Sequence, residues 1–175
     1  MLRARLLLVL LGLAFALGFA LAFALALASP AQAQIVVLGA SSTAGYGVGA
    51  AAAFPAQLQA MLRAKGRPMS VTAAGISGDT TGGMLARLSS AVPPGTRIAV
   101  LQIAGNDAMK GMSASAAAAN RAEIRRLLHA RGVRTIEADG YVMGALRAGL
   151  RQPDGIHMTA EGHRRVAEQL AAAIR

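Results

Sequence analysis

Five positions spread along the sequence carry groups that acyl chemistry can use. Asp154 and His157 are three residues apart, close enough for the carboxylate to hold the imidazole in one tautomer. Ser41 offers a hydroxyl nucleophile, Gly78 an unobstructed backbone N–H group and Asn106 a side-chain amide donor. Together these groups predict a nucleophile, a base, an orienting carboxylate and an oxyanion hole.

The nucleophile candidate follows the most apolar run of the predicted folded part. Residues 35–38 are Ile-Val-Val-Leu, and such a run of mostly β-branched residues is typical of a strand buried on both faces of a parallel sheet. Ser41 then lies at the carboxyl end of that strand, where ligands bind in open α/β sheets. The alternative is an ordinary strand-to-loop turn with capping serines.

The rest of the chain alternates between predicted strands and helices. Further strands are predicted at 70–73, 97–103 and 133–137. Helices are predicted to begin at Phe54, after the cap Ser113 and near Thr159, with a short helix or turn over 141–152. Gly78 and Asn106 follow the second and third strands. This alternation predicts a parallel sheet with helices on both faces and right-handed crossovers.

The first thirty-three residues predict a secretory signal. Arg3 and Arg5 precede an uncharged run from Leu6 to Ala28, and an Ala-x-Ala sequence ends at Ala33. We expect cleavage after Ala33, which leaves residues 34–175 as one domain in the periplasm or outside the cell. Because the apolar run is long enough to span a bilayer, an uncleaved membrane anchor is the alternative.

Composition excludes some classes of site and partner. The chain has no Cys, which excludes disulfides and thiolate metal sites. Its formal net charge is +10, but it has no Trp, and three of its four Phe lie in the predicted signal. We therefore expect no nucleic-acid partner, since single-strand binders need aromatic platforms. The scattered arginines are interpreted as solvated helix faces, with weak contact to an anionic membrane surface as the minor alternative.

Four blocks of the sequence combine small, hydroxyl and acidic residues around the five candidate positions. They are Leu-Gly-Ala-Ser-Ser-Thr-Ala-Gly-Tyr-Gly at 38–47, Gly-Ile-Ser-Gly-Asp-Thr-Thr at 75–81, Ala-Gly-Asn-Asp at 104–107 and Asp-Gly-Ile-His at 154–157. These blocks resemble the SGNH (GDSL-type) hydrolase family, within it the small bacterial lysophospholipase, thioesterase and arylesterase branch. They occur in the family's order and span most of residues 34–175.

The resemblance implies a flavodoxin-like three-layer α/β sandwich with a parallel sheet of four to five strands. It also implies a catalytic triad of Ser41, His157 and Asp154. The oxyanion hole of such an enzyme is formed by the Ser41 N–H, the Gly78 N–H and the Asn106 side chain. The family's triad needs no metal or organic cofactor, and the implied substrate is a small acyl-ester or lipid-like molecule.

The sequence departs from the family pattern at several positions. Ala40 stands where the namesake motif has Asp, which removes a carboxylate expected to brace the nucleophile loop. Ala73 replaces the usual Asn, and Met158 replaces the Pro that usually follows the catalytic His. The stretch from Val133 to Asp154 is short by about one strand-helix unit, which favours a sheet of four strands.

The leading functional hypothesis is a monomeric, extracytoplasmic serine ester hydrolase that acts on acyl esters or thioesters. The alternatives are an envelope carbohydrate O-deacetylase and a catalytically weakened binding module of the same fold. Four methionines near the blocks suit either an adaptable acyl groove or the core, namely Met109, Met112, Met143 and Met158.

Overall fold

The computed structural model of the protein describes residues 34–104 and 106–174. The predicted signal, residues 1–33 with its cleavage site after Ala33, lies outside the described residues. Within them, no helix is long and apolar enough to cross a membrane.

A four-stranded parallel sheet forms the centre of the described part of the chain. The strands are β1 (Ile35–Gly39), β2 (Val71–Gly75), β3 (Ile98–Gln102) and β4 (Arg134–Glu137), in the spatial order β2-β1-β3-β4. All three strand pairs are parallel. The predicted α/β fold is confirmed, and the sheet has the smaller of the two predicted strand numbers.

Eight α-helices and one short 3-10 turn surround this sheet within residues 34–104 and 106–174. The helices are α1 (Ser41–Ala44), α2 (Phe54–Ala64), α3 (Thr81–Ala86), α4 (Leu88–Ala91), α5 (Asn106–Met109), α6 (Ala114–Ala130), α7 (Asp139–Arg147) and α8 (Ala160–Ala173). The 3-10 turn spans Ala50–Ala52. Ser113 caps α6, as the sequence predicts, by accepting a bond from the N–H of Ala116. The last helix begins near Thr159, also as predicted, and the Thr159 side chain caps it by accepting from the N–H of Gly162.

Alternating side chains of the central strands divide the core into two layers. Ile35 and Val37 of β1 pack with helices α2, α7 and α8, whereas Val36 and Leu38 pack with α3, α4 and α6. Every residue of β1 and β3 is buried. Burial on both faces explains why both strands read as continuous apolar runs in the sequence.

The structure corrects the predictions for three segments. The second strand runs from Val71 to Gly75 and not from 70 to 73, because Gly75 pairs in register with Gly39 and extends the ladder. Asn106, predicted in a loop, is the first residue of the short helix α5. The helix predicted within 141–152 is present and begins earlier, at Asp139.

Candidate active site

The carboxyl ends of the strands bring the predicted blocks to one edge of the sheet. Gly39 pairs with Gly75 on one side and with Gln102 on the other, so β1, β2 and β3 end at the same level. A Cβ atom on Gly75 would lie 2.5 Å from the backbone nitrogen of Ala44. Glycine at this position therefore allows α1, which carries Ser41, to pack directly against the end of β2.

Three of the predicted site residues line one cavity at this edge. Ser41, Asn106 and His157 surround a cavity of about 190 Å³. The other predicted residues, Gly78 and Asp154, are not part of the cavity lining; Asp154 is hydrogen-bonded to His157, and Gly78 precedes Asp79, whose carbonyl accepts from Asn106. Five large apolar side chains also line the cavity. Three of them lie on α7, one on α5 and one beside His157: Val142, Met143, Leu146, Met109 and Ile156.

Asp154 and His157 form the carboxylate–imidazole pair that their spacing predicts. Asp154 Oδ2 lies 2.6 Å from His157 Nδ1, and Asp154 Oδ1 accepts bonds from the N–H groups of Ile156 and His157, both at 2.9 Å. The His157 N–H, the His157 ring and the Ile156 N–H together lower the pKa of Asp154 to about 2. Asp154 therefore stays ionised and holds Nδ1 of the imidazole protonated, which leaves Nε2 as the basic nitrogen.

An aromatic contact joins the imidazole to the loop that follows the nucleophile. The rings of Tyr46 and His157 have centroids 4.3 Å apart and planes tilted by 31°. Gln152 Nε2 donates to the carbonyl of Tyr46 at 2.9 Å and to that of Met158 at 2.7 Å. These contacts tie the histidine loop to the serine loop. Sequence reasoning missed Tyr46, although it is one of only three Phe or Tyr residues in residues 34–175 and that scarcity is a usable signal.

Asn106 is oriented by a bond to the neighbouring block. Its Nδ2 donates to the carbonyl of Asp79 at 2.8 Å, which leaves the second N–H of the amide available to a ligand. Gly78, the residue before Asp79, has φ +78°, a left-handed conformation that favours glycine. The bond therefore fixes two predicted oxyanion donors relative to each other.

Arg87 connects the same block to the strand ends. Its Nε donates to Asp79 Oδ2 at 2.8 Å, and its Nη2 donates to the carbonyls of Gly39 and Ala74, both at 3.1 Å. The side chains of Arg87 and Asp79 are only 19% and 11% exposed. One guanidinium thus joins the loop of Gly78 to the strand that precedes Ser41. Nothing in the local sequence pattern around Arg87 indicates this role.

Gln102 braces the nucleophile loop at Ala40, the position where the family resemblance leads us to expect Asp. Ala40 is buried, and its N–H donates to Gln102 Oε1 at 3.1 Å. The hydroxyl of Thr43 donates to the same oxygen at 3.2 Å. Gln102 is 5% exposed at the end of an otherwise apolar strand. A buried polar side chain at that place is a signal that sequence reasoning did not use.

The two donors of Ser41 are free of hydrogen bonds, whereas its carbonyl accepts from the Tyr46 N–H at 3.1 Å. Among the described residues, neither the Ser41 hydroxyl nor its backbone N–H has a partner, and the N–H of Gly78 has none either. The hydroxyl is therefore not hydrogen-bonded to His157 in this structure. Nucleophile–base contacts are often long before substrate binds and shorten in the complex. Ser42 is buried, with 9% of its surface exposed, whereas Ser41 is partly exposed.

Asp139 adds a carboxylate to the cavity wall that sequence reasoning did not single out. Its two oxygens accept bonds from the N–H groups of Ile103 and Ala104, each at 3.2 Å. Burial outweighs these bonds and raises the pKa of Asp139 above its usual value. Asp139, which begins α7 just after β4, is therefore hydrogen-bonded to the segment that connects β3 to Asn106.

The remaining predicted features divide between the site and the core. Met109 and Met143 line the cavity, whereas Met158 is fully buried in the core and Met112 contacts the hydroxyl of Thr81. Within residues 34–104 and 106–174, no three His, Asp or Glu side chains are grouped so that they could hold a metal ion. His163 is a core residue that accepts a bond from the Phe54 N–H at 3.2 Å.

The sequence model of a single family covers two thirds of the chain. The model, described as the GDSL-like Lipase/Acylhydrolase family, matches residues 37–153. The chain belongs to this family. The match includes the blocks of Ser41, Gly78 and Asn106 and ends one residue before Asp154. No curated protein sequence matches the chain.

Solved structures, two of them described as esterases, share the fold of this GDSL-like chain. TesA is 23% identical with a TM-score of 0.73 and covers 81% of this chain and 97% of its own. The psychrotrophic esterase EstA from Pseudoalteromonas sp., inhibited by monoethylphosphonate, is 18% identical with a TM-score of 0.69 and coverages of 80% and 95%. AlinE4, an SGNH-hydrolase family esterase, is 26% identical with a TM-score of 0.58 and coverages of 80% and 93%. The family and these neighbours establish an esterase-type hydrolase fold.

Proposed function

We propose that the chain is a serine hydrolase that cleaves acyl esters or thioesters through a covalent acyl-enzyme. The observation that carries this proposal is the grouping of Ser41, Asn106 and His157 around one cavity, with Asp154 bonded to Nδ1 of the imidazole. All of the candidate groups come from one chain, which supports action as a monomer. A binding module of this fold would need no such set of groups.

In the proposed acylation step, His157 Nε2 takes the proton of Ser41 Oγ while that oxygen forms a bond to the carbonyl carbon of the substrate. Asp154 stabilises the imidazolium that forms. Negative charge develops on the carbonyl oxygen, for which the Ser41 N–H, the Gly78 N–H and the free N–H of Asn106 Nδ2 are the donors.

Collapse of the tetrahedral intermediate breaks the bond to the alcohol or thiol, which leaves with the proton from His157. Water then attacks the acyl-enzyme with His157 again as the base, and the carboxylic acid departs from Ser41. The same three donors serve both tetrahedral intermediates. The chain's own residues thus supply the nucleophile, the proton carrier and the charge stabilisation for both halves of the reaction.

The cavity favours a short or medium acyl group as the substrate moiety. Its volume of about 190 Å³ is below the roughly 300–1,000 Å³ of pockets for drug-sized ligands. Met143, Val142 and Leu146 offer an apolar wall with flexible methionine among them. A sugar ring needs hydrogen-bonding side chains or aromatic stacking instead, so carbohydrate O-deacetylation is the weaker proposal.

Labelling with a fluorophosphonate tests the proposed nucleophile. We expect the label on the peptide that carries Ser41, loss of label and of p-nitrophenyl ester hydrolysis in Ser41→Ala, and retention of both in the matched control Ser42→Ala. Label on Ser42, or label retained in Ser41→Ala, would contradict the assignment. Parallel assays with p-nitrophenyl esters and acyl thioesters separate the two substrate classes.

We further propose that residues 1–33 direct export and are removed after Ala33, so that the enzyme acts in the periplasm or outside the cell. The support is the order of basic, apolar and small residues in this segment. Sequencing of the amino terminus of the exported protein is the test, with Gln34 expected as the first residue. A product that still contains Leu6 to Ala28 would favour the membrane anchor.

A further inference from the structure

The edge of the sheet opposite the candidate active site is formed by the amino ends of the strands. Backbone bonds link neighbouring strands there: Arg97 N–H donates to the carbonyl of Gln34, and Arg134 N–H donates to that of Arg97, both at 3.0 Å. Gln34 N–H donates to Ser70 Oγ at 3.0 Å. A five-residue strand separates the two edges, a span of about 17 Å.

This edge carries basic side chains and no acidic ones. The turns that lead into β2, β3 and β4, together with the first residue of β4, contribute five cations, which we call the arginine face: Lys65, Arg67, Arg97, Arg131 and Arg134. Arg97, Arg131 and Arg134 surround one open concavity of about 640 Å³. All three are exposed at the surface.

The eight acidic side chains of the sequence are all engaged elsewhere. Five of them pair with arginines or His157 outside the arginine face, and Glu168 joins Glu161 on Arg164. The other two, Asp107 and Asp139, accept bonds from Thr81 and from backbone N–H groups. Within the described residues, the arginine face therefore has no counter-charge of its own.

Two of the five cations are held in place by the fold, and two are free to meet a ligand. Arg67 donates to the carbonyl of Ile174, and Arg131 donates to that of Val92, so both guanidiniums are anchored at helix ends. Arg97 and Arg134 make no side-chain bond or ion pair to another described residue. A preformed cationic surface with unused donors fits a surface of phosphate groups.

We propose that the arginine face docks the domain on an anionic phospholipid bilayer. Charge complementarity supports this partner, because the arginine face has no counter-charge of its own among the described residues. The proposal is independent of the catalytic one. Docking through this face leaves the cavity of Ser41 on the edge that points away from the lipid.

The expected binding to the bilayer is electrostatic, so it should weaken when cations are removed and when the salt concentration rises. Each Lys or Arg near an anionic membrane contributes about a fivefold gain in binding, from about 1 kcal/mol per residue. Removing Arg97 and Arg134 together should therefore weaken binding roughly 30-fold. Because the Debye length falls from about 10 Å at 0.1 M salt to about 3 Å at 1 M, high salt should release the protein.

Vesicle flotation with the purified, processed protein tests the proposal. The vesicles contain 30% phosphatidylglycerol in phosphatidylcholine, with pure phosphatidylcholine as the baseline. The variant is Arg97→Gln/Arg134→Gln, and the matched control is Arg164→Gln/Arg165→Gln, which removes the same charge from the helix that begins near the catalytic edge. Thermal midpoints and ester hydrolysis, both expected unchanged in both variants, verify that each protein is folded.

Salt-sensitive binding to the anionic vesicles, lost in Arg97→Gln/Arg134→Gln and kept in Arg164→Gln/Arg165→Gln, supports the proposal. Absence of binding to anionic vesicles overturns it. Equal weakening of both variants also overturns it, because net charge alone would then be responsible. Displacement from the vesicles by millimolar inorganic phosphate at constant ionic strength overturns the bilayer as partner, since the face would then bind a free anion.

Discussion

Replacement of Arg87 by Met tests how the three loops of the candidate oxyanion hole are held together. The methionine keeps an apolar stem of similar length but removes the cation, so Asp79 Oδ2 loses its partner and the carbonyls of Gly39 and Ala74 lose the guanidinium donor, although Gly39 still accepts from the Ile76 N–H. The ion pair of Arg87 and Asp79 is partly buried, since their side chains are 19% and 11% exposed. We expect a loss of about 2–3 kcal/mol of unfolding free energy, between the ~0–1 of exposed pairs and the ~3–5 of buried ones.

Such a loss lowers the thermal midpoint by roughly 4–12 °C for a domain of this size. The same change should lower kcat by about 10²-fold at temperatures where the variant is folded, because displacement of a catalytic group by about 1 Å costs that much. KM should change little, since Arg87 does not line the cavity. Titration of reactive Ser41 with a fluorophosphonate gives the concentration of folded sites, so that kcat is reported per site.

Arg126→Met is the matched control, because the Arg126–Glu123 pair is exposed on the outer face of α6 and should leave both the midpoint and kcat unchanged. Arg87→Lys should restore part of kcat, since an ammonium reaches the carboxylate but lacks the fork that also reaches the carbonyls. A variant Arg87→Met with a lowered midpoint and full kcat per site would refute the argument that Arg87 positions the oxyanion donors. An unchanged midpoint would refute the energetic argument.

Three further outcomes are expected. Asn106→Ala should lower kcat by roughly 10²–10³ with KM nearly unchanged, and a full-rate variant with a lowered midpoint would show a structural asparagine instead. Burial, with a smaller contribution from nearby His157, lowers the pKa of His163 to about 4, so the unfolded chain takes up this proton first as pH falls. The unfolding free energy should therefore drop between about pH 6.5 and pH 4 by on the order of 3 kcal/mol; this slope should flatten in His163→Gln and persist in the exposed control His129→Gln. Across p-nitrophenyl esters, kcat/KM should be higher for butyrate than for dodecanoate, and a steady rise with chain length would contradict the cavity argument.

The sequence was sufficient to predict features that depend on local pattern. The apolar run of β1, the cap Ser113, the helix start near Thr159 and the spacing of Asp154 and His157 each involve residues that are close along the chain. Local pattern therefore predicted the α/β fold and the layout of the candidate site.

Features that depend on contacts between distant segments could not be predicted in this way. The end of β2 was placed too early because its last residues are strand only by virtue of pairing with β1. The bonds of Arg87 to Gly39 and of Gln102 to Ala40 join residues 48 and 62 positions apart. An arginine in a helix or a glutamine at a strand end has many destinations, and only the three-dimensional arrangement selects one.

The glutamine that braces the nucleophile loop makes that brace neutral. A carboxylate at position 40 would take up a proton in acid and lose its preference for accepting bonds, whereas the amide oxygen of Gln102 accepts from Ala40 and Thr43 at any pH. The hydrogen bonds of Gln102 that hold the loop around Ser41 therefore do not depend on pH. The proposed export would expose the protein to the acidity of its surroundings, and a neutral brace removes one proton-dependent weakness from the edge that carries Ser41.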